Sequence, residues 1–401
     1  MCLNLPTESA TQLVQVLDNE RLCTTNQLSE RSKLHCANDL ECAQAILQSL
    51  LTVYPAYTSL CIECSDKLNQ ILHAMFPEHL SMRFIDYNEL IWLNSLTDVQ
   101  IKHWNKLKFD IFIVTTCRMP YLLQLFESLS CTFFFGDNVN IFISVEAAAP
   151  ATCIEFLYEY PWRHGIKSIR RRVTGSGGPQ VAVPEAVNPS DEKFSYAVVL
   201  EDDVDVSPQF YSWLKFIGLK SMSVAPLKLG LVFALSLYTP RVIETTSIPR
   251  VRFDYERLGI EHGTIFGYEV PCSWGSAFSG FYWRKALDYF ELRLNSTSKY
   301  SSIPSSRVNG WQGSWKKWLI ELGYYEHWIT LYPYFEGEYS FSTNRVAVGH
   351  HISEDNAALH HNYTVPLIKD KSWYSQLQSK NIFEKVLSVV DLHGHVKRWE
   401  L

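Results

Sequence analysis

FSYAVVLEDDVDVSPQFYSWL, residues 194–214, passes from an apolar run through a block of acids into a helical repeat. Tyr196–Leu200 is unbroken, apolar and rich in β-branched side chains, as expected of a strand buried on both faces of a parallel sheet. Glu201, Asp202 and Asp203 follow directly. Ser207-Pro208 then supplies an N-cap and a proline at the first helical position, and Phe210, Leu214 and Ile217 recur at helical spacing. The acids therefore sit at the carboxyl end of a strand, where open α/β sheets bind ligands. Acids ahead of a helix also complement its dipole. Three adjacent carboxylates at the edge of an apolar layer, however, repel one another and are poorly solvated, which a divalent cation relieves.

Working outward, Phe109–Val114 reads as a strand, Thr115-Thr-Cys-Arg118-Met-Pro120 as a short turn, and Leu122, Leu125, Phe126 and Leu129 as the inner face of a helix that Pro120 begins. An arginine in such a turn presents a planar fork suited to phosphate. Val139–Val145 is a second strand, ending at Glu146, and Ile166–Arg172 a third. Thr174–Pro179 is a glycine-rich loop without the spacing of a P-loop or a dinucleotide-binding turn, which argues against a kinase or a dehydrogenase. Leu229–Leu237 is a further buried strand. Tyr238–Gly263, with its mixed charges, reads as a long surface loop, and helices are expected over Tyr282–Leu292 and Ser314–Leu322.

VVLEDDVDVSPQF, residues 198–210, closely resembles the acidic motif of GT-A glycosyltransferases, most of all the N-acetylglucosaminyltransferase I type. The resemblance implies an α/β GT-A fold with a central, mostly parallel sheet. It implies Asp203 as ligand to Mn²⁺ (or Mg²⁺) held with the diphosphate of a UDP-sugar, and Glu201 and Asp202 as contacts to the donor's ribose or sugar. Thr115 and Arg118 match the family's nucleotide-contacting first turn, and Glu146 stands where the family places an acid on the uracil. Pro271–Gly280 resembles the family's proline-glycine-tryptophan turn. His351, with His350 as the other option, is the expected second metal ligand, since imidazole suits Mn²⁺. The family's general base falls in a Trp-Asp-Asp-Trp segment, where this chain has Gln312, Gly313 and Ser314 between Trp311 and Trp315. The base is left unassigned, with Glu269 and Ser314 as weak candidates.

The chain has 401 residues, enough for one large domain or two ordinary ones. Residues 1–105 read as a helical N-terminal extension, with apolar stripes at Ala43, Ile46, Leu47, Leu50 and at Leu68, Ile71, Leu72, Met75. Residues 106–355 read as the GT-A domain and 356–401 as a C-terminal docking segment of one or two helices. With 36 basic against 42 acidic residues, a net charge of −6, nothing marks nucleic acid as a partner. No segment is apolar for long enough to span a bilayer, and Met1–Gln15 lacks a signal-like start. The chain therefore reads as soluble, whereas enzymes of the resembling family work in the Golgi lumen behind an anchor. Of the ten cysteines, six lie before residue 65, which hints at disulfides in an N-terminal region, and Cys61-Ile-Glu-Cys64 is a lone CxxC with no second pair at zinc spacing. The expected function is transfer of a sugar from a UDP-sugar, UDP-GlcNAc among the options, to a hydroxyl of a glycan or glycoconjugate. The alternative is a catalytically silent sugar-nucleotide or glycan-binding protein of the same fold.

Overall fold

The computed structural model describes residues 92, 95–97, 100, 103–173, 175, 178–190, 194–222, 231–246, 251–295, 303–304, 306–311, 313–335, 339–344, 367–369, 372–378 and 386–400. The chain forms two compact units, Met1–Asn105 with Phe135–Asp137, and Lys106–Phe134 with Asn138–Leu401. In the first, Trp92 stacks on Trp104 at 5.8 Å and Phe135 lies edge-on to both. The expected apolar stripes of the N-terminal extension lie outside the described residues.

The second unit is built on a ten-stranded sheet. Its first half alternates strand and helix: β1 (Lys108–Thr115), α1 (Met119–Ser130), β2 (Ile141–Val145), α2 (Ala151–Glu159), β3 (Lys167–Arg171), α3 (Gly178–Ala186) and β4 (Ser195–Glu201). After β4 come the short β5 (Val204–Val206) and α4 (Phe210–Met222). Next are β6 (Val232–Ser236), the two-residue strands β7 (Val242–Ile243) and β8 (Val251–Arg252), then β9 (Thr264–Tyr268), β10 (Ser276–Ser279) and α5 (Gly280–Asn295). The chain ends with α6 (Trp315–Glu326), β11 (Ile329–Tyr334), β12 (Ser342–Asn344), α7 (Ser372–Gln378), β13 (Val386–Val390) and β14 (Val396–Glu400).

The sheet order is β14-β13-β9-β11-β6-β10-β4-β1-β2-β3. Strands β1, β2, β3, β6, β11 and β14 run with β4, and β10, β9 and β13 run against it. This is the α/β class, with the central, mostly parallel sheet expected from the sequence. Every residue of β4 from Ser195 to Leu200 is buried, because neighbouring strands cover both edges and helices both faces. On one face Phe112, Ala197, Val199, Phe233 and Phe278 pack under Trp283, Trp315 and Trp318 from α5 and α6. From α4, Tyr211 lies edge-on to Phe109, and Trp213 stacks on Phe341 at 5.3 Å. Gly280 opens α5 where a Cβ would stand 1.9 Å from the Ser190 carbonyl oxygen, so only glycine fits that approach.

Two stretches differ from expectation. The described residues of the stretch 238–263 do not form a surface loop: β7 pairs with β8, and Phe253, Tyr255 and Ile260 are buried among Phe266, Tyr268 and Tyr334. Its charged residues had masked a short amphipathic ribbon. The C-terminal segment contributes one described helix, α7, but Val386–Glu400 is a hairpin whose β13 runs parallel to β9 and widens the sheet. Three valines among the five residues of β13, Val386–Val390, favour a strand over a helix. Among the described residues no helix is long and apolar enough to cross a membrane.

Candidate functional site

Parallel strands in register share a carboxyl edge. Val114 of β1 pairs with Glu201 of β4, and Thr115 pairs with Val145 of β2, so the first turn, the acidic triplet and Glu146 emerge side by side. The Glu146 amide donates to the Thr115 carbonyl at 2.9 Å.

Asp202 is the hub. It is 1 % exposed, and its Oδ2 accepts from Thr115 Oγ1 at 2.7 Å, from the Thr116 amide at 3.2 Å and from the Arg118 amide at 3.4 Å. Its Oδ1 accepts from Arg118 Nε at 3.0 Å and from Arg118 Nη2. Five donors occupy a carboxylate that has about four lone-pair directions. Asp202 therefore holds the β1–α1 turn in place, and its oxygens are already engaged.

Asp203 faces differently. Its Oδ2 lies 3.0 Å from Arg118 Nη2, and its Oδ1 accepts from Asn344 Nδ2 at 3.1 Å. Asn344 arrives because β12 pairs antiparallel with β5, setting it opposite Val204. Burial is the largest influence on the Asp203 carboxyl and raises its pKa, Arg118 opposing and Asp202 adding to the rise. Glu201 ends β4 partly buried, and its Oε1 accepts from Trp315 Nε1 at 3.4 Å. Burial, followed by the charge of Asp203, pushes the Glu201 carboxyl up to about 7. At Arg118, burial would lower the pKa, but hydrogen bonds and charge from Asp202 and Asp203 outweigh it and raise it. Three acids thus face one guanidinium, whose side chain keeps 35 % exposure and lies 5.7 Å from the Tyr121 ring.

The remaining expected residues are distributed as follows. Glu146 reaches the same edge, but its Oε2 pairs with Arg172 Nη1 at 2.7 Å and its Oε1 accepts from the Ala147 amide at 3.1 Å. Ser314 is the N-cap residue of α6 and makes no capping bond with its side chain; it adjoins the site through its neighbour Trp315. Glu269 is not brought to the triplet. It follows β9, which lies beyond β10, β6 and β11 from β4 and runs against it, and its carboxylate accepts from the Leu392 amide at 3.2 Å and pairs with Lys397 at 3.4 Å. His350, His351 and Gln312 lie outside the described residues. Asn344 and Trp315 were not singled out as site residues from sequence. The tryptophan-rich run around Trp315 was visible, but nothing in it pointed to Glu201.

Among the described residues no group of three or more His, Cys, Asp or Glu side chains is placed to hold a metal. Asp203 and Glu201 are nonetheless a fitting donor set for Mn²⁺ or Mg²⁺ carried by a diphosphate. Mg²⁺ in particular is usually held by one or two carboxylates together with substrate phosphates, and here two raised carboxyls share one edge with a partly exposed arginine.

A family model described as the SPBC1E8.03c C-terminal domain matches residues 120–299. No curated protein matches the chain. Among solved structures the chain is similar to S. aureus TarS 1–349, at 16 % identity over 33 % of this chain and 36 % of that one, with a TM-score of 0.25. It is also similar to S. aureus TarS 1–349 in complex with UDP-GlcNAc, at 15 % identity over 36 % and 42 %, with a TM-score of 0.23. The chain thus spans less than half the length of the structures it matches, and a likeness of that size says nothing about activity.

Proposed function

We propose that this chain is a metal-dependent glycosyltransferase that moves a sugar from a UDP-sugar to a hydroxyl of a glycan or glycoconjugate. The observation that carries the reading is the juxtaposition of Arg118 and Asp203, 3.0 Å apart at the carboxyl edge of the central strands, with Glu201 beside them. A diphosphate needs cationic partners, and its metal needs an anionic one. This edge presents both. The N-acetylglucosaminyltransferase I type and UDP-GlcNAc as donor are finer parts of the same proposal, motivated by residues 198–210.

Asp203 and Glu201 would hold the ion, with His351 proposed as a further ligand. When bound, the ion supplies Lewis-acid neutralisation of the departing diphosphate. The chain's own residues do the rest. Asp202 fixes the turn and engages the Nε and Nη2 side of Arg118, and the partly exposed guanidinium exchanges its contact with Asp203 for phosphate oxygens as a charge-assisted pair. Thr115 spends its hydroxyl on Asp202, so its part is to support the turn. Glu146 remains the proposed base-contacting acid, already oriented by Arg172. Trp315 holds one Glu201 oxygen.

Asp203→Ala is expected to abolish Mn²⁺-dependent UDP binding, more than 100-fold by calorimetry, because it removes the only member of the triplet that meets both Arg118 and Asn344. Normal binding by that variant would refute the site.

A second reading, a silent sugar-nucleotide or glycan binder, is favoured by one feature. The residues ahead of Trp315 offer no carboxylate to take the acceptor proton, and Glu269 is engaged elsewhere. UDP release from a panel of UDP-sugars with Mn²⁺ and varied glycan acceptors separates the two: turnover supports the enzyme, and saturable donor binding without turnover supports the binder.

A further inference from the structure

The triplet is served by a turn that does not close without help. For the Thr116 and Arg118 amides to converge on one Asp202 oxygen, the backbone between them reverses at Cys117, whose φ of +66° lies in the left-handed region that residues with a Cβ enter uphill. The Cys117 amide donates to Thr115 Oγ1 at 2.7 Å, and that same hydroxyl donates to Asp202. Cys117 also forms a disulfide with Cys153, which is fully buried in the first turn of α2. The covalent link therefore joins the connection after β1, bearing Arg118, to the start of α2, the helix that follows β2 and Glu146.

We propose that the Cys117–Cys153 disulfide is a positioning device for the ligand site: it holds Cys117 left-handed and so keeps Thr115, Thr116 and Arg118 aimed at Asp202 before any ligand arrives. Its relevance to donor binding rests on the function proposed above. Such bonds persist where the surroundings are oxidising, so the turn is complete only in a chain that folds there.

The bond is buried, so variants test it better than added reductant. In the full chain, Cys117→Ala with Cys153→Ala removes the bond, while Cys117→Gly with Cys153→Ala removes it and makes the left-handed backbone free of steric cost. Hydrogen exchange is read without ligand at the Thr116 and Arg118 amides, and UDP affinity with Mn²⁺ is read by calorimetry. The Cys117→Ala, Cys153→Ala variant is expected to lose protection at those amides by at least tenfold, with β1 and β4 amides unchanged, and to bind UDP at least tenfold more weakly; the Cys117→Gly, Cys153→Ala variant is expected to recover part of both losses.

Protection retained in the Cys117→Ala, Cys153→Ala variant overturns the proposal, because the bond is then not what holds the turn. Loss of protection throughout the sheet also overturns it, by making the bond a general staple. Local loss of protection in the variants, in a protein whose wild type binds no UDP, upholds the turn and refutes the function instead.

Discussion

Two arginines at the same sheet edge each bridge two carboxylates, with opposite burial. Arg172 is 3 % exposed, and its partners Glu146 and Glu185 are 22 % and 45 % exposed. Arg118 is 35 % exposed, and its partners Asp202 and Asp203 are 2 % and 10 % exposed. In the first centre the cation is sunk and the acids reach water, which suits a staple between β2, the residue after β3, and α3. In the second the acids are sunk and the cation faces out. A buried carboxylate pair with a partly exposed arginine in front of it can trade that arginine for another cation, whereas a buried arginine under exposed acids has nothing to trade.

The comparison breaks first at Asp202. Asp202→Ala removes the acceptor of five donors in a buried setting, and breaking a buried charged pair costs about 3–5 kcal/mol. Glu146→Ala removes a solvent-facing partner while Arg172 keeps Glu185, and is expected to cost about 0–1 kcal/mol. Urea unfolding of the two variants should show that ordering. Equal losses would mean that the two centres are the same kind of structure.

Arg118→Lys probes the partly exposed guanidinium. Lysine keeps the charge and loses the planar pair of donors, so UDP affinity should fall about tenfold, or about 1.4 kcal/mol. Arg172→Lys acts on UDP only through the orientation of Glu146, so it should weaken binding by less than Arg118→Lys does while lowering the melting temperature. An Arg172→Lys variant that bound UDP as weakly as Arg118→Lys would make the two centres equal parts of the site.

Much of the Arg118 centre was legible in sequence. Tyr196–Leu200 announces a buried strand, the triplet follows without a gap, and parallel pairing brings Thr115 and Arg118 to the same edge. What escaped comes from distant, short elements. Asn344 stands 141 residues beyond Asp203 and arrives on a three-residue strand, too short for any periodicity. Trp315 reaches Glu201 from the start of a helix 114 residues later. The basic run Lys167–Arg172 was legible only as a strand. In the fold Lys167 caps three carbonyls at the end of α2, Arg170 donates to the Glu185 carbonyl and Arg171 to those of Ala147 and Ala149. A reading of charge alone cannot tell such internal caps from a binding surface. The pairing of Cys117 with Cys153 is likewise invisible among ten cysteines.

The finest distinction within the Arg118 centre is between Glu201 and an ordinary glutamate, and pH reads it. With its pKa at about 7 in the folded protein against an ordinary 4.5, native Glu201 keeps a proton that the unfolded chain releases over that interval. Stability without metal should therefore fall as pH rises from about 4.5 to 7 and level off above. Mn²⁺ favours the ionised form, so its affinity should climb across the same window. Trp315→Phe removes the one hydrogen bond that lowers this pKa, worth about 0.5–1.5 kcal/mol, and should extend the window upward by less than about one pH unit. Melting temperatures from pH 4 to 9, with and without Mn²⁺, would test this. A profile identical in wild type and Trp315→Phe would mean that the indole does not hold Glu201, and that the entrance of α6 is a neighbour of the site and not part of it.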